Sequence, residues 1–400
     1  MLLGIDQVIS SSDFSQRWSG ARVAFLGHAA SVTRDGIHSM DALARHPEVN
    51  LVCGFGPQHG MRSEKQDNMV ESDDYQDPVL NIPVYSLYGE TRKPTRKMVQ
   101  NFDVLLVDLQ DIGARVYTYS TTLFYMLDAC SEMSRSVWVL DRPNPAGRVV
   151  EGTILEKGWE SYIGEVPLIM RHGLTLGELA RWYVDQKELD IDLHVLQMCG
   201  YHPDDPHGFG WPQNQLAWVN PSPNASSINM VRCFPGTVLL EGTTLSEGRG
   251  TTTPLELAGA PDLDFKRLWS DAIELAPDWM RGAIIRPCFF EPTFDKHYGR
   301  LCSGIQIHTD FDHFNPYFFK PFRLVLGLLK AIRRRDPGYH LWRKGPFEYE
   351  TDKWPIDILT GSSFIRRWVD DPHATVADME EKISLDEASW LSSRTEFLLY

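Results

Sequence analysis

The sequence predicts an α/β fold whose first part is a Rossmann-like domain built on a parallel sheet. Three observations predict it. Short apolar runs recur, helix-like stretches separate them, and dense polar clusters follow several of the runs immediately. Apolar runs without polar alternation suit strands buried on both faces. Strands alternating with helices form βαβ units whose right-handed crossovers place helices on both sides of the sheet.

Taken in order, strands are expected at residues 22–26, 51–55, 84–87, 104–108 and 137–141. Helices are expected at 11–19, 39–45, 94–101 and 121–133. This unit ends near Met170, which divides the chain into domains of residues 1–170 and 171–400; 400 residues exceed what one core ordinarily serves. The second part reads as a less regular α+β region. Leu176, Leu179, Ala180 and Tyr183 share one face of a helix over 175–186. Residues 203–223, rich in Pro, Trp, His and Gly, read as a structured loop. Strands are expected at 237–241 and 304–308, an amphipathic helix at 316–334, and smaller helices from 354 onward. No repeat or low-complexity linker separates the parts, so tight association is expected.

Composition narrows the partners. A net charge of −15 opposes nucleic-acid binding, which needs a basic face to neutralise phosphates. The six cysteines are scattered without a CxxC pair, as expected of reduced core thiols. No apolar run reaches the length of a membrane span, so no membrane partner is expected. Residues 1–6 lack a basic segment, a long apolar run and a cleavage site, so a cytoplasmic location is expected, or a periplasmic one had an export signal been removed. The oligomeric state is left open.

The polar clusters carry the chemistry. Val104-Leu-Leu-Val-Asp108 runs into Gln110, Asp111, Arg115, Tyr117 and Tyr119, a density of polar groups that is costly to desolvate unless they satisfy one another or a ligand. The strand at 51–55 runs into Gln58, His59 and Arg62, and the strand at 137–141 into Asp141, Arg142 and Asn144, held by Pro143 and Pro145. Ligands of open α/β sheets bind outside the carboxyl ends of strands, so three such clusters point to one crevice. The cluster after residue 104 reads either as a structural ion network or as a wall for a polyhydroxylated ligand, with Tyr117 and Tyr119 on one side of an extended segment. The long acid-rich loop over 58–82 reads as a lid or wall. In the second part, Arg171-His172-Gly173 belongs at the domain junction, and Asn220-Pro-Ser-Pro-Asn224 forms a rigid polar hairpin. Glu241, Glu247 and Arg249 lie in a Gly/Thr-rich loop, where Thr253-Pro254 predicts a helix start and, with Arg249, an anion site.

Several chemistries find no support. Gly54, Gly56 and Gly60 miss the GxGxxG spacing and no GxxxxGK[ST] occurs, so no nucleotide cofactor is expected. No GxSxG elbow or reactive cysteine motif occurs, and the histidines lack metal-ligand spacing, so no catalytic metal is expected. Chemistry that needs only carboxylates, a tyrosine or histidine and hydroxyl-binding groups remains, and glycoside hydrolysis fits that inventory.

Together these motifs resemble the exo-β-N-acetylmuramidase (NamZ) family of bacterial glycoside hydrolases. The resemblance rests on Gly56-Pro-Gln-His-Gly60, Ser86-Leu-Tyr-Gly89, Asp108-Leu-Gln-Asp-Ile-Gly-Ala-Arg115 with Tyr117-Thr-Tyr119, Leu140-Asp-Arg-Pro-Asn-Pro145, Arg171-His-Gly173, Pro221-Ser-Pro-Asn224, Glu241-Gly-Thr243 and Ser246-Glu-Gly-Arg-Gly-Thr251. It implies release of N-acetylmuramic acid from the non-reducing ends of peptidoglycan fragments. It also implies a smaller C-terminal domain, with the site in the cleft between the two domains. The lactyl carboxylate of that sugar would suit Arg249 or Arg115. Where the family carries Glu-His-Gly, this chain has Gln58-His59-Gly60, and an amide cannot donate the proton of a catalytic acid. The resemblance therefore implies that Glu64 or Glu71 supplies the acid, with His59 and Asp108 as further catalytic candidates. It implies that Gln58, Arg62, Gln110, Asp111, Arg115, Tyr117, Tyr119, Asp141, Arg142, Asn144, His172, Asn224, Glu241, Glu247 and Arg249 bind substrate. The alternative is a muropeptide- or sugar-binding protein without hydrolytic activity.

Overall fold

The structure, a computed structural model, describes residues 1–63, 65, 70–206 and 208–400. In chain order its strands are β1 (Arg22–Gly27), β2 (Asn50–Gly56), β3 (Tyr75–Gln76), β4 (Pro83–Ser86), β5 (Val104–Asp108) and β6 (Ser136–Leu140). Then come β7 (Glu151–Ile154), β8 (Ile169–Arg171), β9 (Leu193–Leu196), β10 (Leu257–Ala260), β11 (Ile284–Phe290) and β12 (Cys302–His308).

The main sheet has the order β3-β4-β2-β1-β5-β6-β9 and is parallel except for the β3–β4 pair. Successive side chains of a strand point to opposite faces, and the core divides accordingly. Ala24, Leu26, Leu105, Val107, Val137 and Val139 enter one apolar cluster. Val23, Phe25, Val104, Leu106, Trp138 and Leu140 enter the other. Strand order reverses between β1 and β5, the point at which an open sheet leaves a crevice above its carboxyl edge. All five strands expected in the first part are present within a residue or two of their limits. The sheet also takes a last strand, β9, from beyond residue 170.

The rest of the chain is smaller and antiparallel. Strands β10, β12 and β11 form a three-stranded sheet in that order, and helices Ile228–Thr237, Phe265–Leu275 and Pro321–Arg335 pack with it. The first and last of these helices approach so closely that a Cβ at Gly236 would lie 1.9 Å from the Pro321 carbonyl oxygen. Glycine there is a packing requirement. Helix Val376–Arg394 returns to the β7–β8 ribbon, with Glu387 and Asp386 accepting from the backbone N–H groups of Gly152 and Ile154.

Three local expectations are corrected. Residues 237–241 are not a strand but the end of helix Ile228–Thr237 and the 3-10 turn Val238–Gly242; a short apolar run cannot be told from a buried helical turn by pattern. No helix follows Thr253-Pro254, because strand β10 begins at Leu257. The helix expected at 11–19 is two short turns, preceded by an unforeseen helix Gly4–Ser10. Among the described residues, no helix is long and apolar enough to cross a membrane.

Candidate functional site

The polar residues at the strand ends first hold the crevice together. Asp108, at the end of β5, accepts two bonds from Arg142, Nε to Oδ1 at 2.5 Å and Nη2 to Oδ2 at 3.0 Å, with both side chains buried. Arg142 also donates to the Val32 carbonyl, which ties β1, β5 and β6 at one point. His28, after β1, accepts from the Gln110 N–H at 2.9 Å. Burial, with Arg142 nearby, holds its pKa well below the ordinary imidazole value, so the ring is neutral. Gln110 donates to the Asp111 and Pro143 carbonyls, and Asn144 to the Leu174 carbonyl. Asp111 accepts from the Gly113 N–H at 2.6 Å and lies 3.6 Å from His172. Asp141 accepts from Thr175, Gly177 and Tyr400, and burial pushes its pKa up to about 6.

Above this frame lies a partly open pocket with room for about 70 Å³ of water-sized space. Gln58 and His59 reach it from the end of β2, and Tyr117, Thr118 and Tyr119 from the start of the helix after β5. Ser222, Glu241, Phe347 and Glu348 close it from the later part of the chain. Thr118 donates its hydroxyl to Gln58 Oε1 at 2.9 Å, which fixes the amide. His59 sits at φ 73° with Nδ1 3.0 Å from the Lys65 carbonyl oxygen, a left-handed turn that brings the imidazole to the cavity. Tyr117 and Tyr119 pack edge to face at 4.8 Å, and His28 lies 4.7 Å from Tyr119. Tyr119 donates to the Pro221 carbonyl at 2.6 Å. Tyr119→Phe is expected to lower stability by about 1 kcal/mol, by removing that buried bond, as denaturant unfolding would measure.

Glu241 accepts from Arg249 at 2.7 Å, and Arg249 also contacts Glu247 at 3.3 Å. Burial raises the Glu247 carboxyl, but Lys296 at 2.7 Å and Arg249 outweigh it and hold the group below its ordinary pKa. The anion site expected at Arg249 is therefore not built. No helix starts at Thr253-Pro254, and two carboxylates already accept its charge.

Of the residues singled out in the sequence, Gln58, His59, Tyr117, Tyr119 and Glu241 come together at the cavity. Arg115 does not line it. Its guanidinium donates to the Thr153, Leu168 and Leu359 carbonyls, and burial lowers its pKa to about 9. Arg62 is bound to Asp41, and Glu71 is 54% exposed on the surface, 2.9 Å from Arg92. Asn224 is half-buried in the turn after Pro223, and Glu64 lies outside the described residues. Sequence reasoning missed Glu348. It follows no strand of the main sheet, and its one available signal was a glutamate set between Phe347 and Tyr349. Burial, reinforced by Glu241, pushes its pKa up to about 7, while Arg92 and a Tyr88 hydrogen bond oppose the rise.

Two family models cover the chain. The exo-β-N-acetylmuramidase NamZ N-terminal model matches residues 23–229, and its C-terminal counterpart matches residues 232–400. The chain is 34% identical to the peptidoglycan β-N-acetylmuramidase NamZ of Bacillus subtilis (strain 168), over 99% of this chain and 91% of that protein. Its fold is similar to that of a DUF1343 family protein from Bacteroides fragilis NCTC 9343, with a TM-score of 0.85 and 28% identity, covering 100% of this chain and 98% of the other. A second DUF1343 protein of that organism shares the fold, with a TM-score of 0.74 and 24% identity over 100% and 98% of the two chains. With both models matched and a relative aligned along nearly its whole length, the chain belongs to the exo-β-N-acetylmuramidase NamZ family.

Proposed function

We propose that this protein is a glycoside hydrolase that releases N-acetylmuramic acid from the non-reducing ends of peptidoglycan fragments. The observation that carries the reading is the cavity itself. Two carboxyl groups, Glu241 and Glu348, line one pocket with Gln58, His59 and Tyr117 at the sheet's carboxyl edge. Paired carboxyls around one sugar are the usual equipment of glycosidases. The Gln58 amide, held through its oxygen by Thr118, offers N–H donors to an acceptor such as an acetamido carbonyl. The reading also draws on the 34%-identical relative named as a peptidoglycan β-N-acetylmuramidase. Its cellular setting would be turnover of imported muropeptides in the cytoplasm, or of wall fragments outside it.

One observation favours a second reading. Residue 58 is an amide at the cavity wall, which suits a sugar-binding protein that does not cleave. Incubating the wild type with a MurNAc–GlcNAc disaccharide, with Gln58→Glu alongside, separates the two. Release of free N-acetylmuramic acid by the wild type is the expected result. Release by Gln58→Glu alone would make the wild type a binding protein. Silence from both would reject this substrate class.

A further inference from the structure

The chain beyond helix Pro321–Arg335 crosses back over the cavity. There Phe347 and Glu350 exchange backbone hydrogen bonds at 3.0 and 2.9 Å, closing a hairpin whose two central residues are Glu348 and Tyr349. Both have positive φ, 45° and 69°. Two-residue turns of this kind ordinarily take Asn or Gly, because a Cβ is crowded in the left-handed region. Conformations this unfavourable persist where the surrounding structure enforces them, and they cluster at functional sites.

The two tip residues point different ways. Tyr349 lies beneath the Arg92 guanidinium, 3.8 Å from ring centre to cation, with its hydroxyl 3.4 Å from Glu71. Arg92 in turn bonds Glu71 at 2.9 Å. These contacts clamp the hairpin onto the wall formed by the first part of the chain. Glu348 turns inward, into the cavity, with the Tyr88 hydroxyl 3.5 Å from Oε2. The hairpin thus forms one wall of the pocket and holds Glu348 at it.

We propose that Glu348 is the proton donor to the glycosidic oxygen, a catalytic acid delivered by the hairpin that closes the site. The assignment rests on the hydrolase reading above. Of the two carboxyls at the cavity, Glu241 is held by Arg249 at 2.7 Å, whereas no ion pair holds Glu348 among the described residues. The titratable groups that face Glu348 are Tyr88, Tyr162, Glu241 and Arg92, with His59 and Tyr117 on the same cavity. Its pKa, raised to about 7 chiefly by burial, leaves a proton available near neutrality. In the step, the bond from anomeric carbon to oxygen breaks and its electron pair stays on the oxygen. That oxygen takes the Glu348 proton and departs as an alcohol. Water adds its hydroxyl to the anomeric carbon, and the proton that water loses returns Glu348 to its acid form.

The test compares leaving groups. Glu348→Gln is assayed on the MurNAc–GlcNAc disaccharide, whose departing alcohol needs a proton, and on a nitrophenyl glycoside of N-acetylmuramic acid, whose phenolate leaves unaided. The expected result is a fall of kcat by about 100-fold or more on the disaccharide and by less than about tenfold on the nitrophenyl glycoside, with an unchanged unfolding midpoint. Equal losses on both substrates, or full activity on the disaccharide, would overturn the assignment while leaving the hydrolase reading intact. Should Glu348→Gln fold poorly, Glu348→Ala with added formate serves instead. Restored disaccharide turnover supports the acid role, and absence of rescue in a folded variant rejects it. A wild type silent on both substrates would overturn the hydrolase reading itself.

Discussion

Arg142→Met is expected to lower the stability of the folded chain by about 3–5 kcal/mol, since removing one partner of a buried ion pair strands the other. Asp108 is fully buried and takes both of its side-chain bonds in the pair from Arg142. Methionine fills much of the lost volume, so the effect reads the stranded carboxylate and not a cavity. The Val32 carbonyl loses its donor at the same time. Denaturant unfolding with an unchanged m-value would measure the loss. Adding Asp108→Asn should recover part of it, as coupled neighbours do in a double-mutant cycle. A single variant within about 1 kcal/mol of the wild type would show that the pair is not what holds the strand ends together.

Arg323→Met is expected to cost a similar amount, about 3–5 kcal/mol, and to change how stability varies with pH. Arg323 bonds Glu380 at 2.8 and 2.9 Å and Glu387 at 2.5 Å, and lies 3.8 Å from the buried Glu151. In the wild type those bonds hold the Glu380 carboxyl down to about 2. A carboxyl depressed in the folded state contributes stability above its unfolded pKa and loses it as pH falls toward the folded value. The wild type should therefore weaken between about pH 4.5 and pH 2 through this group. Glu151 is shifted the other way: burial raises its pKa and Arg323 opposes that rise. Without the guanidinium that rise becomes larger. A raised carboxyl contributes stability below its unfolded pKa and loses it as pH rises through the folded value, so the variant should weaken more steeply than the wild type as pH rises above about 4.5, the reverse slope in a separate range. Unfolding midpoints from pH 3 to pH 8 would show it. Parallel curves for the two proteins would rule the coupling out.

How much of this was legible in the sequence depended on how each element meets solvent. Strands β1, β2, β4, β5 and β6 lie within a buried sheet and read as apolar runs. Strands β7 and β8 escaped notice because they are short and bury Glu151 and Arg171, residues that a pattern assigns to the surface. Strand β11 is exposed along much of both faces and shows no alternation. The carboxyl edge of the sheet was visible as polar clusters, but a polar cluster cannot say whether its groups turn to a ligand or to one another. Arg115, Asp108 and Arg142 turned to their neighbours, whereas Gln58, Tyr117 and Tyr119 reached the cavity. Glu348 could not be found at all by following strands, since a hairpin far along the chain brings it there.

The return of helix Val376–Arg394 and Tyr400 to the first half has a practical consequence. Trp390 and Arg394 donate to the His172 carbonyl, Arg394 also to that of Gly173, and Tyr400 both bonds Asp141 and accepts from the Met198 N–H. A fragment cut between the two family matches, near residue 230, would strip these donors away and open to water the apolar face that Trp390 covers beside Trp182. The seam between the matches is thus a boundary of sequence similarity and a poor place to truncate. Crystallisation or engineering efforts that want the parallel sheet should keep the tail that buckles it shut.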